Sequence, residues 1–295
     1  YKILHSLYQL GRSIVRSTGQ INHTRMLLGP LAGRLMFRMA PDVNGIFVLN
    51  GQRMVLASIN RYPPIDMAMG QFEQQTVKIM EAILRPGMTM VDIGAHVGYF
   101  SLLGASLVGD AGKIYAFEPE PENFKLLSSN IDRNGYKNVI AEEKAVCGIS
   151  GEAQLFISGL DNGSHSIYQN EKRKTTGYVP VQTVNLDDFF QNVESPHIDL
   201  IKIDVEGAEI DVIRGMMGVL SRPDTPVLLI EFCPFLLEAA GKQPADLISL
   251  IRGMGFSIQY VEESTGMIPL ESNIEDHLIE TLLKHQTYVN IYCTR

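Results

Sequence analysis

The sequence predicts an α/β protein, a mostly parallel sheet with helices on both faces, preceded by a smaller helical and hairpin extension. Three observations carry that expectation. From residue 86 onward, short apolar runs alternate with stretches of helical periodicity, the pattern of parallel strands joined by crossover helices. The run Met88-Thr89-Met90-Val91 stops at Asp92-Ile93-Gly94, and after Gly98 the apolar residues Phe100, Leu102, Leu103, Ala105 and Leu107 recur mostly at helical spacing. That is strand, tight glycine loop, helix. Acids recur where later apolar runs end, at Glu118, Asp204 and Glu231, and in open α/β sheets ligands bind in the crevice at those carboxyl ends.

Taken in order, residues 1–40 read as helical. Ile3, Leu4, Leu7, Leu10, Ile14 and Val15 share a face, Arg12 and Arg16 stand one turn apart, and 25–39 repeats the mixture of Leu, Met and Arg. This segment suits either a basic amphipathic helix on an anionic membrane or an extension packed on its own domain or on a second subunit, and the second reading is preferred. Residues 45–49 and 52–57 flank Asn50-Gly51, a strong hairpin signal because both turn positions need positive φ. Residues 72–84 read as a helix covering the first strand. Strands are predicted at 88–93, 113–118, 138–145, 198–204, 226–232, 255–261 and 287–293. Helices are predicted near 98–108, 121–134, 207–220 and 244–254. Two extra strands, 153–157 and 178–184, flank a polar, glycine-containing loop at 158–177, which suits equally a lid or substrate loop and a disordered surface loop.

Composition bounds the function. Of 295 residues, 45% are hydrophobic and 20% charged, ordinary for a soluble globular protein. No apolar stretch approaches the roughly 18 residues of a membrane span. The first residue is Tyr1 rather than Met, which leaves room for a targeting segment upstream. Cys147, Cys233 and Cys293 are far apart and odd in number, so a reducing, cytoplasmic compartment is expected and no disulfide or metal-ligand spacing is visible. The net charge is −8, yet residues 1–41 carry six basic residues and no acid, leaving −14 on the remainder. That charge disfavours nucleic acid as a partner of the main body.

The glycine loop helps choose a cofactor. A dinucleotide fingerprint runs G-x-G-x-x-G. Here the pattern is Asp92-x-Gly94-x-x-x-Gly98, one glycine short and with a carboxylate that would repel phosphate. A cationic amino-acid ligand without phosphate, such as S-adenosylmethionine (SAM), suits it better. Glu118, 24 residues after Gly94, can accept hydrogen bonds from ribose hydroxyls, which SAM and NAD both carry. Glycines at 94 and 98 would let a ligand approach the backbone, and the helix start behind them would offer N–H groups. A second constellation lies at Ile198–Glu209. Lys202 interrupts an apolar strand, and Asp204 and Glu206 stand at its end. The three would share a face only if the strand continued to residue 206. The alternative is a structural Lys–carboxylate pair with an acid at a helix start. Glu231 would face the same crevice.

At these residues the chain resembles the FkbM family of SAM-dependent methyltransferases, from about Phe72 to Phe256. The resemblance is carried by Val91–Ser101, Tyr115-Ala116-Phe117-Glu118-Pro119, Val181–Phe189 with Leu186-Asp187-Asp188, and Ile198–Glu209 with Ile201-Lys202-Ile203-Asp204-Val205-Glu206-Gly207. It departs from the family pattern at His96, where Asn is usual. The resemblance implies a Rossmann-like class I fold over residues 71–295, with a seven-stranded, mostly parallel sheet whose last strand, Tyr288–Cys293, is antiparallel. Residues 1–70 form the extension. It implies methyl transfer to an oxygen, typically a hydroxyl on a sugar, polyketide or other natural product. Carried over, Asp92, Gly94 and Gly98 hold the methionine moiety and Glu118 the ribose, and Glu143-Lys144-Ala145 lies near the adenine. Ala95, His96, Pro119 and Asp204 complete the expected cofactor set. Methyl transfer to an alcohol needs positioning and a base. Asp204 or Glu206 is expected to take the proton, with Glu231 or His165 as second candidates and Lys202 orienting a carboxylate. No metal is expected. The competing readings are a nucleotide-dependent oxidoreductase and a non-catalytic SAM-binding or interaction module.

Overall fold

The computed structural model describes residues 46–56, 72–159, 163–169, 174–193, 196–262 and 265–295. The helices expected over 1–40, and the membrane or subunit contact expected of them, lie outside the described residues. The chain divides into two compact units, Tyr1–Phe72 and Glu73–Arg295. In the first, β1 (Ile46–Leu49) and β2 (Gln52–Val55) form the antiparallel hairpin read from Asn50-Gly51. Both turn residues have positive φ, 47° and 81°, as a two-residue turn twisted to match its strands requires.

The second unit opens with α1 (Gln74–Ile83), then β3 (Thr89–Ile93), α2 (Tyr99–Val108), β4 (Lys113–Phe117), α3 (Pro121–Asn134) and β5 (Val139–Glu142). All five residues of β3 are buried, as a strand covered on both faces must be. Helix α3 begins cleanly because Pro121 needs no N–H partner and Glu120 accepts from the Asn123 N–H at 2.7 Å. Next come β6 (Ala145–Val146), β7 (Gly151–Ser158), β8 (Thr175–Val184) and α4 (Leu186–Asn192). The chain then returns as β9 (Leu200–Ile203), α5 (Glu209–Arg214), α6 (Met217–Leu220), β10 (Val227–Phe232), α7 (Pro234–Ala239) and α8 (Pro244–Gly253). It ends with β11 (Ser257–Glu262), β12 (Gly266–Pro269), α9 (Ser272–His285) and β13 (Val289–Thr294).

The central sheet runs β12-β11-β13-β10-β9-β3-β4-β5. Strands β5, β4, β3, β9 and β10 are parallel, and β13 lies antiparallel between β10 and β11. All seven expected main strands are present, and β12 adds an eighth at the edge. The extra strands β7 and β8 pair with each other and with β6 in a separate three-stranded sheet. Among the described residues no helix is long and apolar enough to cross a membrane.

Three local expectations need correction. The strand expected over 138–145 breaks after Glu142, and Ala145 joins the smaller sheet against Thr183. The strand expected over 198–204 ends at Ile203, because the chain turns through Glu206 and Gly207 at φ 55° and 103°. The helix expected over 207–220 starts at Glu209 and is broken around Gly215, where a side chain would strike the Cys147 carbonyl oxygen at 2.2 Å.

Candidate active site

Register builds the site. Asp92 pairs with Lys202, Lys202 with Leu229, and Glu231 with Asn290. Paired residues point to one face, and residues two apart along a strand share it. Asp92, Lys202, Glu231 and Asn290 therefore mark a polar stripe near the carboxyl ends of the parallel strands. Val91, Ile93, Ile201, Ile203, Leu228 and Ile230 point the other way into the main hydrophobic core. Helices α1 and α2 cover the polar face. Ser101 Oγ donates to Asp92 Oδ2 at 2.5 Å, and the Phe100 ring lies 4.7 Å from Lys202 Nζ. Asn290 Nδ2 donates to Glu73 Oε2 at 2.8 Å and to Thr76 Oγ1 at 3.0 Å.

The glycine loop between β3 and α2 is wound tightly against its neighbours. Gly94 and Ala95 both donate N–H to the Phe117 carbonyl at 2.9 Å, and Gly98 donates to Ala95 at 2.8 Å. Gly94 has φ 82°, and a Cβ there would stand 1.8 Å from the Asp204 carbonyl oxygen. At Gly98, φ 93°, a Cβ would meet Leu127 Cδ1 at 2.7 Å. The protein's own packing thus requires both glycines. His96 (φ 53°) donates its backbone N–H to Glu118 Oε2 at 2.8 Å, and Glu120 donates to Glu118 Oε1 at 2.9 Å. Glu118 staples the loop to the end of β4 and retains lone pairs for a further donor. Its burial pushes the carboxyl up to about 7 against those two hydrogen bonds.

Residues present here fit the amino-acid end of SAM on one structural observation. Asp92 is 1% exposed, and its Oδ1 has no hydrogen-bond partner among the described residues. A buried carboxylate oxygen left unpaired is costly. Burial raises the Asp92 carboxyl and the Lys202 charge opposes the rise. A ligand ammonium would complete its coordination.

Lys202 is the hub of the strand-end cluster. It is 3% exposed and donates to Asp204 Oδ2 at 3.1 Å. Burial favours the neutral amine, but Asp204, Glu73, Asp92 and Glu231 together outweigh it and hold Lys202 protonated. Carboxylate oxygens of Glu73, Asp204 and Glu231 lie within 4.8 Å of one another. Burial raises Glu73, and burial with the charges of Asp204, Glu206 and Glu73 raises Glu231 strongly. This trio has the spacing of a cation site, and the Lys202 ammonium already supplies a positive charge beside it.

Of the expected residues, the structure brings Lys202, Asp204 and Glu231 together. Glu206 is carried off the strand on a left-handed turn, near enough for its charge to bear on Glu231. It does not share the Lys202 face by strand alternation. Glu209 and Asp211, not Glu206, are the acids in the first turn of α5; Glu209 accepts from the Gly207 N–H at 3.0 Å, and burial pushes it up to about 7. His165 accepts the Ser158 N–H on Nδ1 at 3.0 Å, which ties that nitrogen to the end of β7. Lys144 pairs with Glu142 at 2.7 Å and sits 5.9 Å from the Phe189 ring; Pro119 follows Glu118 at the β4 exit. The residue that sequence reasoning missed is Glu73, which carries no local motif and stands before a helix rather than at a strand end.

Strand order, the inserted antiparallel strand, the glycine loop and the strand-end acids define a Rossmann-like SAM-dependent methyltransferase. Residues 92–258 match the methyltransferase FkbM domain. The chain belongs to the FkbM methyltransferase family, and its cofactor is SAM. It is 26% identical over 180 residues to the hexuronic acid methyltransferase AglP of Haloferax volcanii, covering 61% of this chain and 67% of that one. Methyltransferase 1 of Beauveria bassiana is 29% identical over 147 residues, and methyltransferase sdnD of Sordaria araneosa 31% over 160. Each fungal match covers 43% of this chain, against 57% of the first protein and 60% of the second. The chain thus spans about three fifths of those relatives.

Proposed function

We propose that this chain is an O-methyltransferase acting on a hydroxyl of a small molecule, a sugar or another natural product rather than nucleic acid. The observation that carries the reading is the strand-end carboxylate Asp204, whose side chain is 25% exposed, beside the glycine loop and held by a buried ammonium. Bound SAM supplies an electrophilic methyl group on a sulfonium. Asp92 and the Gly94–Gly98 loop would hold its amino-acid end and Glu118 its ribose. Asp204 would take the acceptor's hydroxyl proton as the methyl group leaves the sulfonium for the oxygen, and Lys202, donating to Asp204 Oδ2 at 3.1 Å, would orient it. Glu231 and Glu206 are the neighbouring carboxylates able to substitute. The hexuronic acid relative supports a sugar-class acceptor. Three unpaired cysteines are in keeping with a cytoplasmic, reducing compartment.

Thermal unfolding with S-adenosylhomocysteine, and with NAD as control, tests the reading. Ligand at about 100 times its Kd adds roughly 2.7 kcal/mol and raises the midpoint by a few degrees. A shift with NAD alone would sink the proposal. Asp204→Asn should keep the shift while turnover falls about 100-fold or more; full turnover would remove Asp204 from the base role.

A further inference from the structure

The strand-end cluster carries more acid than its lysine balances. Asp92 on β3, Glu73 before α1, Asp204 at the exit of β9 and Glu231 on β10 all act on the Lys202 ammonium. Among the described residues, Lys202 is in turn the positive charge acting on Glu73, Asp92 and Glu231, and the ion-pair partner of Asp204. The backbone builds this crowding in. Glu73 is held at φ 40°, a left-handed conformation uncommon outside glycine, and Asn290 from β13 anchors its carboxylate. A separate feature points the same way. Asp92 is 1% exposed; Ser101 takes its Oδ2, and its Oδ1 finds no partner among the described residues. An excess of acid and an unpaired buried oxygen both call for added positive charge at one place.

The cofactor and its product differ in the charge they bring there. SAM carries an ammonium, a carboxylate and a sulfonium, whereas S-adenosylhomocysteine keeps the ammonium and carboxylate but has a neutral thioether. A short aliphatic chain joins the ammonium to the sulfur, so an ammonium seated on Asp92 keeps the sulfur within range of the cluster's field. Burial raises the carboxyls of Glu73, Asp92 and Glu231, and a cation entering beside them would draw them back toward the ionised form. In methyl transfer the S–CH3 bond breaks as the O–CH3 bond forms, and the sulfur keeps the bonding pair and becomes neutral. In the reaction proposed above the acceptor's proton passes to Asp204. Its later loss to solvent restores the excess of acid, now without a sulfonium to offset it.

We infer that the acids around Lys202 make the cofactor site charge-selective, holding sulfonium-bearing SAM in preference to the neutral thioether left after transfer, and so promoting exchange of spent for fresh cofactor. This preference rests on SAM binding at Asp92 and not on the identity of the acceptor. Calorimetric titration of the full chain, without acceptor and at one fixed pH, tests it with SAM, S-adenosylhomocysteine and sinefungin, which carries an amine in place of the sulfonium. SAM and sinefungin should each bind at least about tenfold tighter than S-adenosylhomocysteine. Glu73→Gln and Glu231→Gln each remove a negative charge at nearly constant shape, and should narrow that ratio to about threefold or less. A ratio taken on one preparation is unmoved by loss of folded protein, so it separates charge selection from a purely structural role. Equal or tighter binding of S-adenosylhomocysteine by the parent, a preference for SAM that sinefungin does not share, or a ratio unchanged in both variants overturns the inference while the methyltransferase reading stands. Failure of the parent to bind any of the three ligands removes the cofactor site and this inference with it.

Discussion

At Glu118 two backbone amides favour the carboxylate while burial opposes it, and burial wins, placing the carboxyl at about 7. Ribose hydroxyls donate hydrogen bonds, so the ionised form is the competent acceptor. Cofactor affinity should therefore rise with pH through 7, with S-adenosylhomocysteine binding roughly tenfold weaker at pH 6 than at pH 8. Calorimetric titration of the parent and of Glu118→Gln checks this; the variant should bind weakly at both pH values with little slope. For the free protein the sign is the reverse. A raised folded-state pKa contributes stability below about 4.5 that is lost as pH climbs through 7, and Glu209, also near 7, adds to that loss. Lys202 is the opposite case, a buried cation kept charged by its acids. Lys202→Met leaves Glu73, Asp92, Asp204 and Glu231 without their counter-charge, and should cost about 3–5 kcal/mol in urea unfolding at neutral pH. The deficit should shrink as pH falls and the raised carboxyls Glu73, Asp92 and Glu231 protonate, whereas a pH-independent loss would point to packing against Phe100 instead.

The β3–α2 loop and the turn after β9 lock each other at the level of elements. Asp204 donates its N–H to the Ile93 carbonyl at 2.9 Å, and its own carbonyl occupies the space a Gly94 side chain would need. Gly94→Ala combines a left-handed alanine with that collision and should destabilise by about 2–4 kcal/mol. The displaced turn would also carry Asp204, so turnover should fall further than the population of folded protein does; equal losses would mean that the site does not depend on this contact. This interlock explains what was legible in the sequence. Strands β3, β9 and β10 were readable because buried parallel strands are continuous apolar runs, and the loop was readable because Asp92, Gly94 and Gly98 sit together. The end of β9 was not, since apolar Val205 prolongs the pattern and the stop comes from the left-handed Glu206, held through its carbonyl by Ser166, which bridges to β7 at Phe156. Glu73 was illegible for the same reason: its partner Asn290 is 217 positions away, and no local pattern marks such a pairing.

Across the whole molecule, every side chain of the candidate cofactor site and the strand-end cluster belongs to the unit Glu73–Arg295, and the first residue of that unit is part of the cluster. The boundary is therefore sharp in chemistry as well as in packing. A chain beginning at Phe72 keeps α1, Glu73 and Thr76, and should bind S-adenosylhomocysteine within about twofold of the full chain and unfold in one transition. A chain beginning at Pro86 lacks α1, whose Val77, Ile79 and Met80 are buried. At about 1.5–3 kcal/mol for each such side chain, the loss is comparable with the roughly 5–15 kcal/mol that holds a domain folded. It also strips the Asn290 side chain of Glu73 and Thr76, and Lys202 of one of its acids. Circular dichroism melts of the two truncations decide the matter. Equal stability and equal binding would show that α1 is dispensable and that Glu73 plays no part in the site, whereas loss of the shorter chain alone would make residue 73 the start of the methyltransferase domain.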